Sequence, residues 1–213
     1  MNRRNYLKLA AYLAVVPTVS AAQSDDHVNF FRALSVDGAG IVREMLAAGF
    51  DPNTPSEKGQ VPLFLAMRDA TFRCAEVLLA DPRLKVDAVN AAGETAVMMA
   101  ALRGHTAWVR RLLERGAALE REGWTPLHYA ASGPGTEAAT LLLDHGARID
   151  APSPNRTTPL MMASRYGAEA TVDLLLARGA NRKLRNDQGL DAAEFARLGG
   201  REWLLPRLGN GER

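Results

Sequence analysis

The stretch Trp124-Thr125-Pro126-Leu127-His128-Tyr129-Ala130-Ala131 returns one period later as Thr157-Thr158-Pro159-Leu160-Met161-Met162-Ala163-Ser164. Self-similarity at a fixed period of this size marks a chain built from stacked units, so the spacing is read before any single element. Weaker echoes run from Gln60 to Met67 and from Glu94 to Ala101, and degenerate copies begin at Val28 and Asp191. The openings therefore fall at positions 28, 61, 95, 125, 158 and 191, a near-constant interval in which only the step from 95 to 125 is shortened. Alanine stands five residues after every opening, at Ala33, Ala66, Ala100, Ala130, Ala163 and Ala196. Glycine stands late in four of the units, always at the same offset from the opening, at Gly49, Gly116, Gly146 and Gly179, and the second unit has Asp81-Pro82 in its place.

Each recurrent residue has a physical reason. Thr95, Thr125, Thr158 and Asp191 suit the N-cap of a helix, and Pro126 and Pro159 suit its first position, where no N–H is needed. The alanines let neighbouring inner helices approach, while Leu63, Val97, Leu127 and Leu160 supply apolar bulk. Gly104 and Gly167 are read as left-handed reversals leading into second helices carried by Leu141 to Leu143 and Leu174 to Leu176. Gly116, Gly146 and Gly179 end those helices, and the polar stretches 51–58 and 150–156 are loops. One loop is short: the stretch from Gly116 to Thr125 is abbreviated relative to its counterpart from Gly146 to Thr158.

This pattern resembles the ankyrin repeat family, with its Thr-Pro-Leu-His opening, alanine pair, mid-repeat glycine, leucine run and Gly-Ala ending. The resemblance implies an all-α solenoid of about six helix-turn-helix repeats over residues 28–205, with loops projecting as β-hairpin fingers. A short linker, 23–27, precedes the repeats and a tail, 206–213, follows them. The end units are read as caps, with Trp203 covering the last interface. The family binds partner proteins through finger tips and the concave face of the inner helices. Carried over by position, this places Gln60, Glu94, Trp124, Thr157 and Leu190 before the openings as exposed residues. Arg68 and Asp69, Leu102 and Arg103, and Arg165 and Tyr166 follow the openings by seven and eight residues. Trp124 with Arg68, Arg103 and Arg165 forms an aromatic anchor within an arginine row able to receive a partner's carboxylates, with Tyr166, Leu102, Asp69 and Glu94 beside it.

Residues 1–22 read as a cleavable export signal: basic Arg3 and Arg4, an apolar run from Leu7 to Val16, Pro17, then small Ser20, Ala21 and Ala22. Asn2-Arg3-Arg4-Asn5-Tyr6-Leu7-Lys8 resembles the twin-arginine motif apart from Asn2, so Sec and twin-arginine export both stand, toward a periplasm. Without that segment the formal charge falls from +2 to −1, with 23 basic against 24 acidic side chains. Such a chain lacks the basic footprint of a nucleic-acid binder. No later segment has the ~20 apolar residues of a membrane span.

No catalytic or metal signature emerges. His128 holds the fourth position of its opening, His105 follows a mid-repeat glycine, and neither His27 nor His145 has a ligand-spaced partner. Gly133-Pro134-Gly135 is an inter-helix turn and no phosphate loop, and no Gly-x-Ser-x-Gly elbow occurs. The single cysteine, Cys74, excludes an internal disulfide and reads as a small buried apolar residue. The expectation is a noncatalytic, cofactor-free, monomeric protein that binds another protein in the periplasm. The alternatives are an immunity or inhibitor protein for a toxin or enzyme, and a sensor of a small ligand or metal.

Overall fold

The computed structural model describes residues 21–209. The proposed export signal lies outside them except for Ala21 and Ala22. Five helix pairs follow one another: α1 (Ala21–Ser35) with α2 (Ala39–Ala47), α3 (Pro62–Asp69) with α4 (Phe72–Ala80), α5 (Ala96–Leu102) with α6 (Thr106–Glu114), α7 (Pro126–Ala131) with α8 (Glu137–Asp144), and α9 (Pro159–Tyr166) with α10 (Glu169–Ala177). The sixth unit is α11 (Ala192–Leu198), a 3-10 turn at Glu202–Leu204 and a short α12 (Leu205–Leu208). Residues 23–27, expected as linker, are part of α1, and Asp25 and Asp26 are exposed on it.

The helices begin where the openings place them, with Met161 N–H donating to Thr158 Oγ1 and Glu194 N–H to Asp191 Oδ1, whereas the buried Thr95 hydroxyl has no partner among the described residues. Thr95, Thr125, Thr158 and Asp191 are extended N-cap residues, and Pro62, Pro126 and Pro159 occupy the first turn. The odd-numbered helices pack consecutively into an inner row, and the invariant alanines that line it are buried: Ala66, Ala100, Ala163 and Ala196 are 0% exposed. The outer row is less continuous. There α2 packs on α4 and α6 on α8 over their backbones, while α4 meets α6 through the Phe72 and Trp108 rings, stacked at 5.5 Å, α10 meets α8 through Leu174, and exposed ion pairs, Glu76 with Arg111 and Asp144 with Arg178, reinforce these two steps.

Three expectations are corrected. First, no strand occurs among the described residues, so the loops are not β-hairpins. Each full-length loop ends in a five-residue tip held by two backbone bonds: one from the first N–H to the last carbonyl, Ser56 to Gln60, Asn90 to Glu94, Ser153 to Thr157 and Asn186 to Leu190, and a turn bond from the fourth N–H back to the first carbonyl, Gly59 to Ser56, Gly93 to Asn90, Arg156 to Ser153 and Gly189 to Asn186. Neighbouring tips share single bonds, Ala91 N–H to Gly59 O and Asp187 N–H to Asn155 O, both 3.0 Å. Both bonds close a single turn, and nothing beyond it continues the alternating ladder of a strand pair.

Second, Gly104 has a left-handed φ of 72°, but Gly167 has a φ of −82° that any residue adopts. Gly167 is required for space: a Cβ there would lie 2.0 Å from the Ala131 carbonyl oxygen of the preceding repeat. Third, Trp203 is 58% exposed, and the last interface is filled instead by Leu204 and Leu208, at 0% and 3%. Side chains of a 3-10 turn diverge by about 120° per residue, so burying Leu204 turns its neighbour outward.

Cys74 is buried under α1, its Sγ 4.0 Å from Ala33 O, and burial pushes its thiol up to about 12. It packs as a small apolar residue and is unreactive at neutral pH.

Candidate partner-binding site

Repeat 4 is where the stack departs from its own rule. The shortened loop, 117–124, has no tip, and no bond equivalent to the tip closures forms within it among the described residues. Arg121 takes over part of the lost connection by donating from Nη1 to Gly93 O at 2.9 Å, a side chain reaching the previous tip where a backbone bond would otherwise run. The row of tips is therefore interrupted between 90–94 and 153–157.

Trp124 closes this short loop and is half-buried. Its ring meets the His128 ring edge-on at 5.1 Å. Together with Leu102 from α5, Tyr129 from α7, and Met162 and Tyr166 from α9, it lines an apolar pocket of roughly 410 Å³ on the inner-helix face. Tyr166 is 56% exposed at its mouth, a large aromatic surface left in water.

The pocket has a fixed floor. His128 is fully buried and holds two elements at once: its Nδ1 takes the Thr125 N–H at 3.2 Å, which leaves Nε2 to donate to Thr157 O at 2.9 Å. Burial lowers its pKa to about 4, so the ring is neutral at physiological pH and that tautomer is stable. The wall is fixed as well. The Tyr129 hydroxyl donates to Glu94 at 2.9 Å, and Glu94 also accepts from Asn90 at 2.8 Å. Burial, with Glu94 adding to it, keeps that phenol well above its usual range, so it stays a donor.

Two arginines adjoin lining residues in the chain, Arg103 after Leu102 and Arg165 before Tyr166. Arg103 is exposed and makes no ion pair among the described residues. Arg165 lies over the Tyr166 ring at 5.0 Å, likewise without a carboxylate partner among them.

Of the residues expected to bind a partner, the structure brings Trp124, Leu102 and Tyr166 together and sets Arg103 and Arg165 next to them. Glu94 stands behind Tyr129 as its acceptor. Arg68 and Asp69 lie apart on α3 and pair with each other through two bonds of 2.7 Å. Thr157, read as exposed, is 2% exposed and supplies the carbonyl that His128 holds. The reading missed Tyr129 and Met162. Both stand four residues after an opening, so the repeat register was signal enough to find them.

Comparison with known proteins follows the same outline. Residues 21–121, 74–153 and 118–187 each match the family model described as ankyrin repeats (3 copies). The chain belongs to the ankyrin repeat family. It is 36% identical over 155 residues to human ankyrin repeat and SOCS box protein 16, covering 71% of this chain and 34% of that protein. It is 39% identical over 100 residues to human ankyrin repeat and KH domain-containing protein 1, covering 45% of this chain and 4% of that one. This ankyrin chain thus spans about a third or less of the length of these curated relatives.

Among solved structures, one chain of a predatory endopeptidase from Bdellovibrio bacteriovorus in complex with an immunity protein superposes with a TM-score of 0.71 at 24% identity, covering 86% of this chain and 98% of that one. At that identity the likeness is one of fold. Ankyrin repeats are typically noncatalytic units. Among the described residues, no group of three or more His, Cys, Asp or Glu is placed to hold a metal ion, and no helix is long and apolar enough to cross a membrane.

Proposed function

We propose that this protein is an exported inhibitor or immunity protein, which binds one partner enzyme through its inner-helix face and blocks it without chemistry of its own. The observation that carries the reading is the preformed apolar pocket at Trp124, Leu102, Tyr129, Met162 and Tyr166, flanked by two arginines that lack carboxylate partners among the described residues. Aromatic and arginine side chains over a rigid, desolvated pocket are the composition of interface hot spots.

The class of partner rests on the solved complex. The matched chain there is accounted for over 98% of its length by this noncatalytic fold, which leaves no room in it for a peptidase domain and points to the immunity protein as the counterpart. Residues 1–22 support export, by Sec or the twin-arginine route, to the periplasm of a Gram-negative bacterium. A stack capped at its last interface by Leu204 and Leu208 supports a monomer that forms a one-to-one complex.

Purification of the tagged chain from periplasm, wild type beside the double variant Trp124→Ala, Arg103→Ala, tests the reading. The expected result is one co-purifying hydrolase, inactive in the wild-type complex and absent from the variant. A partner that remains fully active when bound, or a chain found only in the cytoplasm, overturns it.

A further inference from the structure

Resting on that reading of the inner-helix face, we infer that the interruption in the row of tips is a recognition notch for a projecting loop of the partner, a loop that carries an aromatic side chain flanked by a carboxylate. Three observations specify this occupant.

The first is access. The tips at 56–60 and 90–94 are tied to each other, as are those at 153–157 and 186–190, and only the tip between these pairs is missing. A loop approaching there meets no finger before it reaches Trp124.

The second is the lining. The pocket's surface is almost wholly apolar: Glu94 is occupied by Tyr129 and Asn90, and His128 is occupied by Thr125 and Thr157. The Ser132 hydroxyl on its wall is donated to His128 O at 3.1 Å, so a polar side chain entering the pocket would lose water and find no free donor there. At roughly 410 Å³ the space exceeds a methyl or isopropyl group and accommodates a ring, and Trp124 and Tyr166 offer faces and edges to stack it.

The third is charge. Arg165 lies over the Tyr166 ring at the mouth and exposed Arg103 directly follows the lining residue Leu102 in the chain, both without carboxylate partners among the described residues, while Arg121 is held to Gly93 O. The nearby acids are Glu94, which is bonded internally, and exposed Glu122 on the short loop. The excess is therefore cationic, and a guanidinium fork matches a carboxylate beside the inserted ring.

The test uses the full chain as bait against a library of randomised loops displayed on a rigid carrier. Wild type is expected to enrich loops with Trp, Tyr or Phe within two positions of Asp or Glu. Tyr166→Ala, which removes an exposed side chain and leaves the melting midpoint in place, should weaken the selected loops about tenfold. The double variant Arg103→Glu, Arg165→Glu should select loops with the same aromatic residue but with Lys or Arg beside it. Enrichment of loops lacking an aromatic residue, retention of affinity in Tyr166→Ala, or an unchanged flanking preference in the charge-reversed chain would each overturn the notch. None of these outcomes bears on whether a hydrolase co-purifies, so failure of the notch and failure of the inhibitor reading are told apart.

Discussion

Repeats 4 and 5 open on nearly the same sequence and diverge in three places: the fourth position of the opening, the loop before it, and the turn after the inner helix. At the fourth position, His128 reaches across to Thr157 O and stitches the two repeats, whereas Met161 offers only its Sδ to the Thr158 N–H at 3.4 Å, within its own repeat. In the preceding loop, repeat 4 lacks the tip that repeat 5 closes with Ser153 and Thr157. In the following turn, a Cβ at Gly133 would sit 3.1 Å from its nearest neighbours, but one at Gly167 would sit at 2.0 Å. Repeat 5 therefore supplies the close approach and repeat 4 the opening for a ligand. The pocket exists because the two are adjacent and different.

The strongest way to break the contrast is at the turns. Gly167→Ala forces a methyl group into a backbone oxygen that cannot rotate away, and it should cost about 4 kcal/mol, beyond the usual range for overpacking. For a chain of this size that is a fall of roughly 8–16 °C in the melting midpoint by calorimetry. Gly133→Ala should cost less than half as much, and equal losses would show that the two turns are packed alike.

Next comes the fourth position. The pKa of His128 in the fold is about 4, below its ordinary 6.5, so the unfolded chain takes up a proton first as the pH drops. Its contribution is complete above pH 6.5, declines as pH falls toward 4 and amounts to about 3 kcal/mol over that window. Urea unfolding at a series of pH values should show this slope in wild type and its loss in His128→Met. That variant stays folded at neutral pH because Thr157 O keeps the Ser153 N–H at 3.0 Å. A slope retained by His128→Met would move the titration to another group.

The smallest effect on stability is expected in the loop. Inserting a short segment to restore a tip before Trp124 should shift the midpoint by less than about 2 °C, since lengthening a surface loop costs little entropy. The same insertion should weaken notch-selected loops at least about tenfold.

What the sequence shows well is whatever one repeat decides alone. The helix starts follow from Thr or Asp before Pro or Ala, because an N-cap needs only its own next turn, and these formed as read. What it hides depends on the neighbour. Gly167 has the look of a turn residue, yet its reason lies in Ala131, a whole repeat away. Trp203 looks the natural plug until the 3-10 turn assigns that place to Leu204. The hairpin fingers failed on length, since a five-residue tip has room for a turn and its closing bond but not for a strand pair. At the site, repeat register located Trp124, Leu102 and Tyr166. It left open that the +4 residues Tyr129 and Met162 share their pocket, and that Arg68 is occupied by Asp69.

The alternation along the outer row has a mechanical corollary. The inner helices are joined at every step by close packing, whereas on the convex edge the steps from α4 to α6 and from α8 to α10 add charged clasps exposed to water to their side-chain contacts, Phe72 on Trp108 in the first and Leu174 against the α8 core in the second. Such clasps weaken as added salt shortens the Debye length, while apolar contacts do not. The solenoid thus has an inner edge held by packing alone and a convex edge that loosens slightly at those two joints as the clasps weaken. Its curvature, and with it the width of the mouth it offers a partner, should respond to ionic strength.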